Sequence, residues 1–312
     1  MRVKLIVNAT ASSVTPRTQF LVERILHREH EVKVAATLRR GHATLLAREA
    51  VEDGFDLVAV LAGDGTLNEA SGGLIGSDLP LAALPGGSTN VYARTLGIIN
   101  NAEQAAHGLL ASLSEKTFRR VDVGRVNGRQ FLFNAGVGFD AAVLERVERH
   151  PKWKRRLNHA YFAGVALATF ASYERGNPLF ALHDEAGAHV TDGSFAIISK
   201  THPWTFFGPR RFAVAPSAGF DQPLVSTVWK DMRVGPMLLT SASALGSGAL
   251  LRKSPAIHEH HGDNFVITSP APIPWQADGD FLGTDTTFTF SRQSDALTIV
   301  VPATPENDAD RW

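Results

Sequence analysis

The sequence predicts an α/β domain with a mostly parallel sheet, followed by a mainly antiparallel β domain. Three observations predict it. Short apolar runs alternate with stretches of helical period through the first third of the chain, the pattern of parallel strands joined by right-handed crossovers. Two of those runs end in glycine turns that lead straight into helix starts, at 62–66 and 85–90. Beyond Arg119 the text becomes short strands punctuated by Gly, Pro and Asp, as antiparallel sheets require. The two domains are therefore placed at 1–119 and 120–287.

In order, 3–7 is a buried strand, 8–16 a polar loop, and 17–27 an amphipathic helix with Phe20, Leu21 and Ile25 near one face. A second strand at 31–36 precedes a helix at 42–52, apolar along Leu45, Leu46 and Ala50. The run Leu57-Val58-Ala59-Val60-Leu61 is a third strand, rich in residue types of buried sheet. A fourth strand at 81–84 and a helix at 102–113 follow. In the second domain, strands are expected at 121–126, 130–134 and 195–199, with Asn127-Gly128 as a hairpin turn. More short strands fill 212–229 and 265–301. Strong helical signals there are confined to 141–148 and 158–173.

Composition narrows the function. The chain has 312 residues, is 44% hydrophobic, and balances 31 Lys+Arg against 31 Asp+Glu. That balance argues against a general nucleic-acid binder. The absence of cysteine removes disulfides, thiolate metal sites and cysteine nucleophiles together. The N-terminal apolar run, Leu5-Ile6-Val7, is too short for a secretion signal. No stretch reaches the roughly 18 uninterrupted apolar residues of a membrane span. The expectation is a cytoplasmic protein, compatible with a peripheral contact to a membrane surface and with a homodimer.

Two glycine turns on neighbouring strands suit a nucleotide, because glycine lets backbone N–H groups approach phosphate and a helix N-terminus adds positive potential. The first turn, Ala62-Gly63-Asp64-Gly65-Thr66, also carries a carboxylate. Asp64 reads either as a helix cap or as a Mg²⁺ ligand or proton acceptor. Thr66 with Glu69 has capping-box spacing, a role compatible with phosphate or ribose contact by Thr66, Asn68 and Glu69. In the second turn Gly86, Gly87, Ser88, Thr89 and Asn90 are nucleotide candidates or a plain strand–helix connection. Asp140 opens a helix, and Asp278-Gly279-Asp280 is an acidic turn. Arg155 lies in a basic run that is either a solvated face or an anion site. Trp204, Phe206 and Phe207 read as a satellite core, an acyl-chain pocket or a membrane-touching lip.

Four blocks carry a resemblance to the diacylglycerol kinase catalytic-domain family, which includes bacterial lipid kinases and the sphingosine and ceramide kinases. AGDGTLNE at 62–69 resembles its GGDGTxNE, and LPGGSTNVYAR at 84–94 its LPxGTxNDFAR. NAGVGFDA at 134–141 is similar to GxGxDA, and QADGD at 276–280 to the DGE block. The blocks span nearly the whole chain in family order. The chain departs from the pattern at Ala62, Val91, Asp280 and the loop Asn8-Ala9-Thr10-Ala11-Ser12, where the family has NPxSG but shares the asparagine.

The resemblance implies a phosphofructokinase- and NAD-kinase-like α/β domain, completed by a C-terminal segment near 288–303, and a β-sandwich, with the active site in the cleft between them. It implies ATP and Mg²⁺ as cofactors and a diacylglycerol-like or sphingoid lipid as substrate. Nucleotide contacts fall on Asn8, Gly63, Gly65, Thr66, Asn68, Glu69, residues 86–90, Arg155 and Gly279. Metal contacts fall on Asp64 and Asp280, the acceptor headgroup on Asp140, and proton acceptance on Asp278 or Asp64. An NAD kinase, whose GGDGT loop is similar, and a relative without catalysis are the alternatives.

Overall fold

The computed structural model describes residues 1–149, 164–173, 178–230, 232–246 and 254–303. The chain divides into two compact units, Met1–Asp122 with Ser294–Trp312, and Val123–Gln293. One long strand, β16 (Asp280–Val300), passes from the second unit into the first.

The first unit alternates strand and helix: β1 (Arg2–Val7), α1 (Pro16–Leu26), β2 (Glu31–Ala36), α2 (His42–Glu52), β3 (Leu57–Ala62), α3 (Asp64–Leu74), β4 (Leu81–Pro85), α4 (Val91–Thr95) and α5 (Ala102–Glu115). The strands pair in parallel in the order β2-β1-β3-β4, and the end of β16 adds beside β4 with Ile299 opposite Leu81. β3 and β4 are buried at every position, as strands covered on both faces must be. On one face α1 and α5 bury Val22, Ile25, Leu26, Ala106 and Leu109 against Val3, Leu5, Leu57 and Leu61. Elsewhere α2 and α3 lie in close contact. Gly73 permits this, since a Cβ there would come within 2.5 Å of the Thr44 carbonyl.

The second unit has the strand order β14 (Ile257–Gly262), β13 (Leu224–Trp229), β10 (Phe195–Ser199), β7 (Asn134–Val137), β15 (Asn264–Ala277) and the start of β16, and every pair is antiparallel. β15 changes neighbours along its length. Phe265–Thr268 pair with β8 (Phe180–Asp184), itself paired to β9 (His189–Gly193), whereas Trp275–Ala277 pair with β7. The register slips between Thr268 and Ile273, where Pro270 and Pro272 supply no ladder N–H. Alternation along β10 splits the core: Ala196 and Ile198 join Phe265, Phe288 and Phe290, while Phe195 and Ile197 join Val214, Trp229 and Met232.

The expected strand at 130–134 is in fact two, β6 (Arg129–Phe131) and β7, separated by a bend whose amides bind a carboxylate described below. A helix at α8 (Val234–Ala244) carries no amphipathic signal in the sequence. The expected helix at 158–173 lies partly outside the described residues, its remainder forming α7 (164–172). Among the described residues no helix is long and apolar enough to cross a membrane.

Candidate active site

In the first unit the two glycine turns pack on each other. A Cβ at Gly87 would lie 2.7 Å from the Gly63 Cα, and one at Gly86 2.9 Å from the Ala62 Cα. Only glycine allows that approach. Asp64 opens α3, but its carboxylate caps a different helix. Its two oxygens accept the amides of Val91 (2.9 Å) and Tyr92 (3.0 Å), the first turn of α4. Burial pushes the Asp64 carboxyl above its ordinary value, and the bonds from Tyr92 and Val91 and the charge of Arg94 oppose the rise. The residue keeps some accessible surface, yet the protein packed about its carboxyl strips most of its water.

The surrounding polar residues are bound into the same scaffold. Asn8 donates to Thr66 Oγ1 at 3.0 Å and accepts from the Thr10 amide and hydroxyl, so it ties the first loop to the first glycine turn. Gly63, not Thr66, is the N-cap of α3, so the capping box does not form. Glu69 instead reaches the amide of Ala43 at 3.3 Å, near the start of α2. Asn68 is buried. Asn90, at φ 51, accepts from Gly87 N–H and donates to the Gly87 carbonyl and to Asn100. Ser13 holds Gly86 and Gly87 from the side. Gly65 has open space about it, and first-turn amides of a helix lack intrahelical acceptors. Ser88 is exposed and Thr89 half-buried.

In the second unit the blocks at 134–141 and 276–280 meet through one buried network. Asp278, at φ 48, accepts three amides: Leu132 at 2.6 Å, and Phe133 and Asn134 at 3.0 Å each. Its own amide donates to the Asn134 carbonyl. These bonds make the bend between β6 and β7. Gln276, almost fully buried, donates to Asn134 Oδ1 and to Asp140 Oδ2, both at 3.0 Å, and accepts from Gly279 N–H at 2.9 Å. Asp140 sits in the first turn of α6 (Phe139–Glu148), over Gly136, where a Cβ would overlap its carboxyl. Desolvation raises Asp140 to about 7 against the bonds from Gln276 and Ala141. Asp280 is half-buried, with Arg129 4.0 Å away. Arg155 lies outside the described residues.

Sequence reasoning gave no role to Gln276 or Asn134. Both stand inside quoted blocks, and Gln276 lies two residues before Asp278, but only the register of β7 against β15, with Gly136 opposite Gln276, brings them together. Among the described residues no group of three or more His, Cys, Asp or Glu is arranged to hold a metal. Mg²⁺ is commonly held by one or two carboxylates and the phosphates it accompanies, and Asp280 fits such a partial role because it keeps accessible surface.

The fold has solved counterparts. A diacylglycerol kinase from Bacillus anthracis str. Sterne superposes with a TM-score of 0.71 at 18% identity, covering 97% of each chain. An NAD kinase from Archaeoglobus fulgidus, solved with ATP, gives 0.53 at 11% identity over 97% of this chain and 94% of its own. These likenesses define the fold class, an α/β domain with a mostly parallel sheet joined to an antiparallel β region. Residues 2–126 match the diacylglycerol kinase catalytic domain, and that segment of the chain is similar to it. Among curated relatives, a Synechocystis protein of uncharacterized function is 25% identical over 85% of this chain and 62% of its own length. The diacylglycerol kinase of Bacillus subtilis is 38% identical over 35% of this chain and 36% of its own length. That of Mycobacterium tuberculosis is 31% identical over 46% and 47%. The matches thus span 36 to 62% of these relatives' length.

Proposed function

We propose that this chain is an ATP- and Mg²⁺-dependent lipid kinase that phosphorylates a hydroxyl of a diacylglycerol-like or sphingoid lipid. The observation that carries the reading is the match of residues 2–126, which hold both glycine turns, to the diacylglycerol kinase catalytic domain. The turns at Gly63–Glu69 and Gly86–Asn90 then hold the nucleotide, with first-turn amides of α3 on its phosphates. Asn8 and Thr66 fix the shape of that cradle through their bond. Asp280, which keeps accessible surface, would offer a carboxylate to Mg²⁺, a cation that would supply charge neutralisation to phosphoryl transfer. Asp140, buried and raised to about 7, meets the acceptor headgroup as a hydrogen-bonding acid of mixed protonation.

We assign proton acceptance to Asp64 rather than Asp278. Burial raises the proton affinity of Asp64, which improves a general base. Asp278 spends three of the roughly four lone-pair positions of a carboxylate on backbone amides. The late QADGD block favours a lipid over a dinucleotide acceptor.

The test is a panel of acceptors with labelled ATP and Mg²⁺: diacylglycerol, ceramide, sphingosine, phosphatidylglycerol and NAD in parallel. Label on a lipid is expected, and Asp64→Asn should lower that rate at least about a hundredfold. Label on NAD alone, or on nothing while ATP still binds, overturns the reading.

A further inference from the structure

Three elements of the second unit surround one apolar cluster: α7, the hairpin of β11 (Thr205–Phe207) with β12 (Arg210–Phe212), and α8. Phe170 of α7, Phe212 of the hairpin, and Met237 and Ala244 of α8 pack into it. The Ala213 amide donates to the Ala244 carbonyl at 2.6 Å, which seats the end of the hairpin against the end of α8.

The outward sides of these elements are apolar too. Leu167 on α7 is 71% exposed, Leu239 54%, Val234 49%, Leu245 47% and Phe207 38%. The exposed face of α8 runs through Gly235, Leu239, Ala242 and on to Gly246, and no residue from Val234 to Ala244 is charged. A surface helix ordinarily turns charged residues to water. Scattered exposed apolar side chains are normal, but five around one cluster mark an interaction surface.

Exposed basic residues border that surface. The hairpin carries Arg210 and Arg211, and Arg210, Lys230 and Arg233 are all exposed. We infer that this face docks the second unit onto a lipid bilayer bearing anionic headgroups. The apolar side chains of α8 and the hairpin enter the headgroup boundary, as in-plane helices do, while the basic residues meet lipid phosphates. The choice of a bilayer over a protein partner rests on the lipid-kinase reading, joined to the basic border.

The test is sedimentation of the full chain, without nucleotide, with vesicles of phosphatidylcholine alone or mixed with phosphatidylglycerol. Wild type is expected to bind the mixed vesicles, and less so as salt rises. Leu239→Asn with Leu245→Asn should cut the partition coefficient at least about tenfold. Arg210→Gln with Arg233→Gln should cut it roughly fivefold per arginine on the anionic vesicles. Thermal melts confirm that the variants fold. Absence of binding to either vesicle, or equal binding by wild type and the leucine variant, overturns the inference. So does a wild-type dimer that the leucine variant splits, with no vesicle binding, because the face then belongs to a second copy. Vesicle binding without phosphorylation of any lipid upholds the surface and removes the kinase reading. Phosphorylation in detergent micelles without vesicle binding does the reverse.

Discussion

Replacing Asp278 tests whether this acid is first a piece of scaffold. Its carboxylate holds the amides of Leu132, Phe133 and Asn134, and those three residues are 2%, 5% and 4% exposed. Asp278→Ala orphans three buried donors at about 1–3 kcal/mol each. Water entering at the nearby exposed Gly279 recovers part, so a net loss of about 3–6 kcal/mol is expected. Asp278→Asn keeps one acceptor oxygen for Phe133 and Asn134, but its NH₂ faces the Leu132 N–H, donor against donor. A loss of about 1–3 kcal/mol follows. For a unit of this size each kcal/mol moves the melting temperature roughly 2–4 °C. The Asn variant should therefore melt a few degrees early and the Ala variant roughly ten degrees early or more. Trp204, Trp229 and Trp275 lie within Val123–Gln293, so their fluorescence follows the unit concerned. Wild-type melting in both variants would refute the reasoning, because three amides would then have lost their acceptor at no cost.

Two further outcomes are expected. Asp140 in the folded chain holds its proton up to about pH 7, above its ordinary value of 3.8. Between those limits the folded state binds a proton that the unfolded chain has lost, so stability falls as pH rises and the penalty, about 4 kcal/mol, is complete above pH 7. Asp140→Asn should gain on wild type from pH 5 to pH 8 in urea titrations; a difference constant with pH contradicts this. Gly87→Ala places a methyl 2.7 Å from the Gly63 Cα and 3.0 Å from Asn90 Oδ1, prising the two turns apart. The KM for ATP should rise about tenfold or more with the acceptor KM little changed; an unaltered KM for ATP would show that the turns do not need this contact.

The first unit was largely legible from the sequence. Glu31–Ala36 and His42–Glu52 form the expected strand and helix, although Leu45, expected on the apolar side of that helix, is 42% exposed and Ala43, Leu46, Ala47 and Ala50 are buried instead. In the second unit local pattern was less informative. Residues 130–134 read as a single strand, but Asp278, more than 140 residues away, takes the amides of Leu132, Phe133 and Asn134 and bends it. The helix at α8 was missed because its residues are apolar or small all round, so no period stands out.

The pattern of strand, glycine turn and helix, and the order of four short blocks, were determined by the sequence itself, because backbone freedom and burial preference are properties of local residue types. What each acid does was decided only by the tertiary structure. Asp64 caps a helix 27 positions on, Asp278 clasps a distant bend, and Asp140 is joined to the acidic turn through Gln276. A carboxylate takes its role from the donors that surround it, and here those donors arrive from strands and helices that are remote in the chain.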